Sequence, residues 1–201
     1  MSEESTTLVG KQRLEAMTEG IYAIALTLLV LELKLPPLPH EATNAALVEA
    51  LHALLPKVLT WMLSFWVMVL LWLGQLRVYR FCKALDWTLV WQELAMLAGV
   101  SLLPFSTALL GEYGNLPVAA AVYSANLLVV ALLSSLRTWH LLRMPELHAP
   151  GLTAEVAQRL RLRAWALTGC AAAALVLAFF LPGWNMLAML PTALLPRVAR
   201  G

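Results

Sequence analysis

The sequence predicts an all-α membrane protein, with six transmembrane helices and both termini cytoplasmic, in a single domain over residues 1–201. Three observations carry this. The chain is 61% hydrophobic and only 13% charged, whereas a soluble domain is about a quarter charged, and its mean hydropathy is +0.75. Its apolar residues come in runs close to the roughly 20 that a helix needs to cross the hydrocarbon core. Its basic residues gather on one side of the layout those runs imply. Little chain is left over for a soluble catalytic domain.

Span one is RLEAMTEGIYAIALTLLVLELKL, residues 13–35. It ends at Pro36 and Pro37, with Pro39 following, because proline cannot continue a helix and pushes the preceding residue toward extended geometry. The segment ATNAALVEALHALL, 42–55, reads as a short amphipathic helix on the membrane surface, separated by Pro56 from span two, 58–78, which holds Trp61, Trp66 and Trp72. RVYRFCKALD, 77–86, is a basic connector. Span three covers 88–110, with a kink expected at Pro104, and ends in the turn-rich GEYGNLP. Span four covers 118–142. A polar connector, 143–163, holds a surface helix after Thr153 and leads to span five, 164–181. Pro182 and Gly183 turn the chain into a short span six, 184–198.

In this layout Lys11, Arg13, Arg77, Arg80, Lys83, Arg137, Arg143, Arg159, Arg161, Arg163, Arg197 and Arg200 share one side, and Lys34 and Lys57 take the other. Positive charge marks the cytoplasmic side. The opening MSEESTTLVGKQ is polar and lacks the features of a removable signal peptide. The expectation is a multi-pass protein of the inner (plasma) membrane.

Familiar enzyme patterns are missing. His40, His52, His140 and His148 do not form a zinc-peptidase helix, and there is no GxSxG elbow, phosphate-binding glycine loop or cysteine-ligand cluster. Cys82 and Cys170 read as two buried thiols. No enzyme activity, cofactor or nucleic-acid partner is expected. Six spans suit a cation channel, but the potassium filter TVGYG is absent, as is the regular arginine spacing of a voltage sensor. Such a channel would have to select with side chains on a helix-walled pore.

Span one offers such a wall. At 100° per residue, Met17, Leu28, Leu31 and Leu35 fall within about 40° of Ile24, with Gly20 and Thr27 on one shoulder. Packing against lipid or core is the commoner cause of such a stripe, and Gly20, Ala23, Ala25 and Thr27 also suit close helix contacts. Charged groups in a span are costly unless paired or wet. Arg13 and Glu15 lie where they can snorkel to the interface. Glu19 is deeper and, like Thr18, off the stripe; both are expected to bond to neighbouring helices and hold span one in place. Glu32 stands where it can add negative potential at an outer mouth or pair with Lys34 or Lys57.

RLEAMTEGIYAIALTLLVLEL resembles the first-span signature of the transmembrane protein 175 family, in its short bacterial form: Arg, three residues, Phe-Ser-Asp, then a run such as GVFAIAITLLVLEI. SLLPFSTALLGEY (101–113) is similar to the family's third span, and PVAAAVYSANLL (117–128) to the start of its fourth. The resemblance implies a homotetrameric, potassium-selective or potassium-preferring channel without a conventional filter loop, the first helices of its subunits surrounding the pore. It implies a hydrophobic constriction at Ile24, Leu28 and Leu31, a selectivity role for Thr27, and a potassium ion passing near Ile24 and Thr27. The permeant ion, the lipid bilayer and other copies of the chain are then its partners. Arg13 matches the family arginine, and Met17, Thr18 and Glu19 stand in the Phe-Ser-Asp places. The histidines that follow the span-two tryptophan in the family are replaced here, after Trp72, by LGQL. The alternative is a proton- or cation-coupled transporter using Glu19, Glu32 or Glu93 as carriers, although no internal repeat supports it. A structural membrane protein without flux is a third reading.

Overall fold

The structure is a computed structural model describing residues 3–38, 43–182 and 184–194. Its elements are α1 (Glu3–Leu28), which tightens into a 3-10 turn over Leu29–Glu32, then α2 (Asn44–Arg80), α3 (Trp87–Tyr113), α4 (Pro117–Arg143), α5 (Ala154–Phe180) and a final 3-10 helix, Asn185–Leu194. Among the described residues, five helices are long and apolar enough to cross a membrane. This is a multi-pass membrane protein.

Two expected breaks are absent. The surface helix and span two form the single 37-residue α2, with Pro56 inside it. Proline removes one N–H, so only one helical bond, to the exposed His52 carbonyl, is lost. The Thr60 hydroxyl donates to the Pro56 carbonyl at 3.1 Å. At 1.5 Å per residue α2 is about 55 Å long, well beyond the roughly 30 Å hydrocarbon core, so part of it lies outside the core or runs obliquely through it. Likewise the helix after Thr153 continues without interruption into span five as α5. The Thr153 hydroxyl caps it by accepting from the Val156 N–H at 3.3 Å.

The expected sixth span is represented by the ten-residue 3-10 helix Asn185–Leu194, which at ~2 Å per residue reaches about 20 Å. Residues 195–198 of that span, with Arg197 and Arg200, lie outside the described residues, as do Pro39, His40, Ala42 and Gly183.

Small residues let the central helices approach closely. A Cβ on Gly99 of α3 would stand 2.6 Å from Val130 Cγ2 of α4. Ala131 of α4 and Ala171, Ala174 and Ala178 of α5 are all buried. The Thr168 hydroxyl bridges the latter pair of helices, 2.8 Å from Ser135 Oγ and 3.0 Å from the Ala131 carbonyl. The final 3-10 helix is tied in by Asn185, whose Nδ2 donates to Ser124 Oγ at 2.9 Å.

The basic end of the bundle is where α2 and α4 finish and α3 and α5 begin. Lys11 reaches across it from α1 to the Tyr79 carbonyl in the last turn of α2 at 3.0 Å and to the Cys82 carbonyl just beyond it at 2.6 Å, a favourable place for a cation. Two connectors pair there: the Lys83 N–H donates to the Leu147 carbonyl at 2.7 Å, and the Ala149 N–H to Phe81 at 2.9 Å. Burial raises the Asp86 carboxyl, but the Leu89 N–H it accepts at the start of α3 and the His140 ring outweigh this and hold it below its ordinary range. Of the two cysteines, Cys82 is buried; Cys170 is partly exposed, contrary to the expected pair of buried thiols, because it stands beside the buried face of α5 formed by Leu167, Ala171 and Ala174.

Candidate functional site: the two faces of the first helix

Helix α1 and the 3-10 turn that continues it divide cleanly into two faces. Leu14, Thr18, Tyr22, Ala25 and Leu29 are buried, following the three- and four-residue spacing of a helix packed on one side. Tyr22, Ala25 and Leu29 join a core with Val67, Met68 and Leu71 of α2 and Met96, Val100 and Leu103 of α3. On the opposite face Ile24, Leu28 and Leu31 are 60%, 41% and 62% exposed in the single chain. Met17 is exposed on the same side, and Arg13 and Thr27 are exposed too. The aliphatic stripe therefore makes no part of this chain's own core. The Thr27 hydroxyl donates to the Ile24 carbonyl at 2.8 Å, which leaves its oxygen able to accept or coordinate.

The buried face of α1 meets a polar junction. Glu93 of α3 and Arg137 of α4 are 1% and 3% exposed and form an ion pair. The other carboxylate oxygen, Oε1, accepts from Gln75 Nε2 at 2.8 Å and from Thr18 Oγ1 at 3.0 Å. With its proton committed to Glu93, Thr18 accepts from the Tyr79 hydroxyl at 3.2 Å. The Arg137 guanidinium lies 5.6 Å from the Tyr79 ring centroid, within cation–π range. One threonine thus fastens α1 to α2, α3 and α4 through a charged centre. Glu19, next to it in sequence, is exposed and lines a cleft of about 250 Å³ with Lys11, Glu15, Trp72 and Arg80. Glu15 pairs with Lys11 at 3.6 Å.

The sequence leaves Glu93 without a partner and groups Arg137 with the basic residues of the cytoplasmic side; in the structure Arg137 is buried in the bundle. Register along the helices carries the signal. Glu93 is six residues past Trp87 at the start of α3 (93 − 87), and Arg137 six before Arg143 at the end of α4 (143 − 137). In antiparallel neighbours both sit about 9 Å from the same end, where an intramembrane charge calls for a counter-charge. Gln75, in the LGQL that stands where the histidines were expected, supplies a neutral donor to the same carboxylate.

At the other end Lys57 pairs with Glu112 rather than with Glu32. Glu32 is half-buried in a cleft of about 290 Å³ that it shares with Lys34, Lys57 and Glu112. Among the described residues no three His, Cys, Asp or Glu side chains are grouped to hold a metal ion.

The family described as endosomal/lysosomal potassium channel TMEM175 matches residues 13–104, which include the whole exposed stripe and Glu93. A potassium channel of Streptomyces collinus is 34% identical over 155 residues, covering 75% of this chain and 74% of that protein. The chain belongs to the TMEM175 family. A second relative, a potassium channel of Chamaesiphon minutus, is 36% identical over 131 residues, covering 63% of each protein. The solved structure of a lysosomal potassium-selective channel TMEM175 homolog from Chamaesiphon minutus superposes with a TM-score of 0.79 at 25% identity, covering 96% of this chain and 100% of that one. The five long helices therefore have the TMEM175 fold.

Proposed function

We propose that this protein is a potassium channel in which the exposed face of α1, from four copies of the chain, lines a central pore. Successive rings of Ile24, Leu28 and Leu31 form a hydrophobic constriction that closes by dewetting, and the Thr27 oxygen favours potassium beside it, where no TVGYG filter exists. The exposed aliphatic stripe carries this reading. A helix that buries one face in its own core and leaves large aliphatic side chains on the other requires lipid, a second protein surface or a pore to cover them, and the TMEM175 relatives include proteins named as potassium channels. Glu32 adds negative potential at the outer mouth. Arg13, Met17, Thr18 and Glu19 hold the inner half of the helix in position, Thr18 through the Glu93 junction.

In this reading the C-terminal segment completes a sixth span, both termini are cytoplasmic, and the chain resides in the inner (plasma) membrane. The basic end of the bundle then faces the cytoplasm, following the distribution of positive charge. The carrier alternative is disfavoured by Glu93, whose carboxylate is already engaged by Arg137, Gln75 and Thr18. Reconstitution into liposomes tests the proposal. Under a potassium gradient calibrated with valinomycin, the protein should pass potassium down the gradient without saturating; no flux, or saturating flux coupled to pH, would refute it.

A further inference from the structure

At the basic end, α2, α4 and α5 enclose a cleft of about 60 Å³ lined by Gly74, Arg77, Ser134, Thr138 and Arg163. This is room for a few waters or one phosphate-sized group. It lies at headgroup depth: Arg77 is in the last turn of α2, Arg163 directly precedes the apolar run of α5, and the exposed indoles of Trp139 and Trp165 flank the same level. Toward the bilayer centre the wall becomes apolar, with Leu70 and Leu167.

Two further features point to an occupant. Arg77 is half-buried, yet its side chain has no hydrogen bond or ion pair with any other described residue. Gly74 lies inside α2 one turn away, although glycine inside a helix costs about 1 kcal/mol relative to alanine. Close packing explains Gly99, but a Cβ on Gly74 would meet nothing within 4 Å. The missing side chain keeps the cleft open instead.

We propose that this cleft binds the headgroup of an anionic glycerophospholipid. Its phosphate is held by the guanidinium fork of Arg77, which matches phosphate geometry, with the positive charge of Arg163 on the same cleft wall. The Ser134 hydroxyl donates at the edge, since the Thr138 proton is committed to the Ser134 carbonyl at 2.8 Å. The acyl chains run past Leu70 and Leu167. Basic pockets between transmembrane helices are suited to such headgroups. No residue of α1 lines the cleft, so the site stands independently of ion conduction.

Native mass spectrometry of the full-length protein in detergent tests it, with phosphatidylglycerol, phosphatidylcholine and inorganic phosphate as separate additions. Phosphatidylglycerol should be retained in preference to phosphatidylcholine. Arg77→Gln, which removes the charge, and Gly74→Leu, which fills the space, should each weaken its retention about fivefold or more without lowering the melting temperature in lipid-free detergent. Equal retention of the two lipids, or unchanged retention in both variants, would overturn the assignment. So would displacement of the lipid by inorganic phosphate, which would make the ligand a free anion. Loss of oligomers by Gly74→Leu at unchanged lipid retention would overturn it as well, by giving the cleft to a neighbouring chain.

Discussion

At Thr27 the hydroxyl proton is spent on the Ile24 carbonyl, so the side chain presents lone pairs rather than a donor to whatever lies beyond the exposed face of α1. If that space is the pore, Thr27→Ala should lower the potassium-over-sodium permeability ratio about two- to tenfold, the size of one modest polar contact, and Thr27→Ser should largely preserve it. Bi-ionic reversal potentials measure this; no shift in Thr27→Ala would remove the residue from selectivity. Glu93 and Arg137 make a different kind of claim. Removing one partner strands a buried charge, so Glu93→Gln or Arg137→Gln should each cost about 3–5 kcal/mol. The double variant should recover part of that loss in detergent-based unfolding, while a fully additive double loss would show that the pair is not coupled. Neither role was fully legible in the sequence. The stripe followed from periodicity, because a helix has one spacing. The Glu93 partner did not, because it lies 44 residues away and only the relative depth of two antiparallel helices reveals it.

Helix α3 meets α4 at Gly99, where the clash with Val130 is with a branched side chain rather than a flexible tip. Gly99→Leu should therefore lower stability by about 1–3 kcal/mol, the usual cost of overpacking, and adding Val130→Ala should restore part of it. A stable Gly99→Leu protein with no need of the second change would contradict this account of the α3–α4 contact. The presence and order of the long apolar elements were readable from composition, and the helix start after Thr153 from residue type. Their continuity was not. Pro56 reads locally as a break, yet neighbouring turns hold α2 together around a single lost hydrogen bond. The polar start of α5 reads as a separate surface helix because hydropathy changes at residue 164 while the backbone hydrogen bonding does not.

For the whole molecule, the single chain leaves one face of α1 uncovered while burying the other in a core shared with α2 and α3. Composition was enough to predict an all-helical membrane bundle, and the RLEAMTEGIYAIALTLLVLEL signature pointed to the family. Symmetry is invisible to both, because pore-lining and lipid-facing aliphatic stripes have the same period. The relation of Met17-Thr18-Glu19 to Phe-Ser-Asp becomes clearer at this scale: Thr18 ties α1 to the buried Glu93, whereas Met17 and Glu19 face outward from the single chain. The most direct test of the pore is the unitary potassium current of the reconstituted protein with Ile24 replaced by Asn. Placing an amide in the hydrophobic ring should keep it wet and raise the unitary current or open probability severalfold over the unmodified protein. An unchanged current, from a variant that assembles and reconstitutes normally, would contradict the assignment of the α1 stripe to the permeation path.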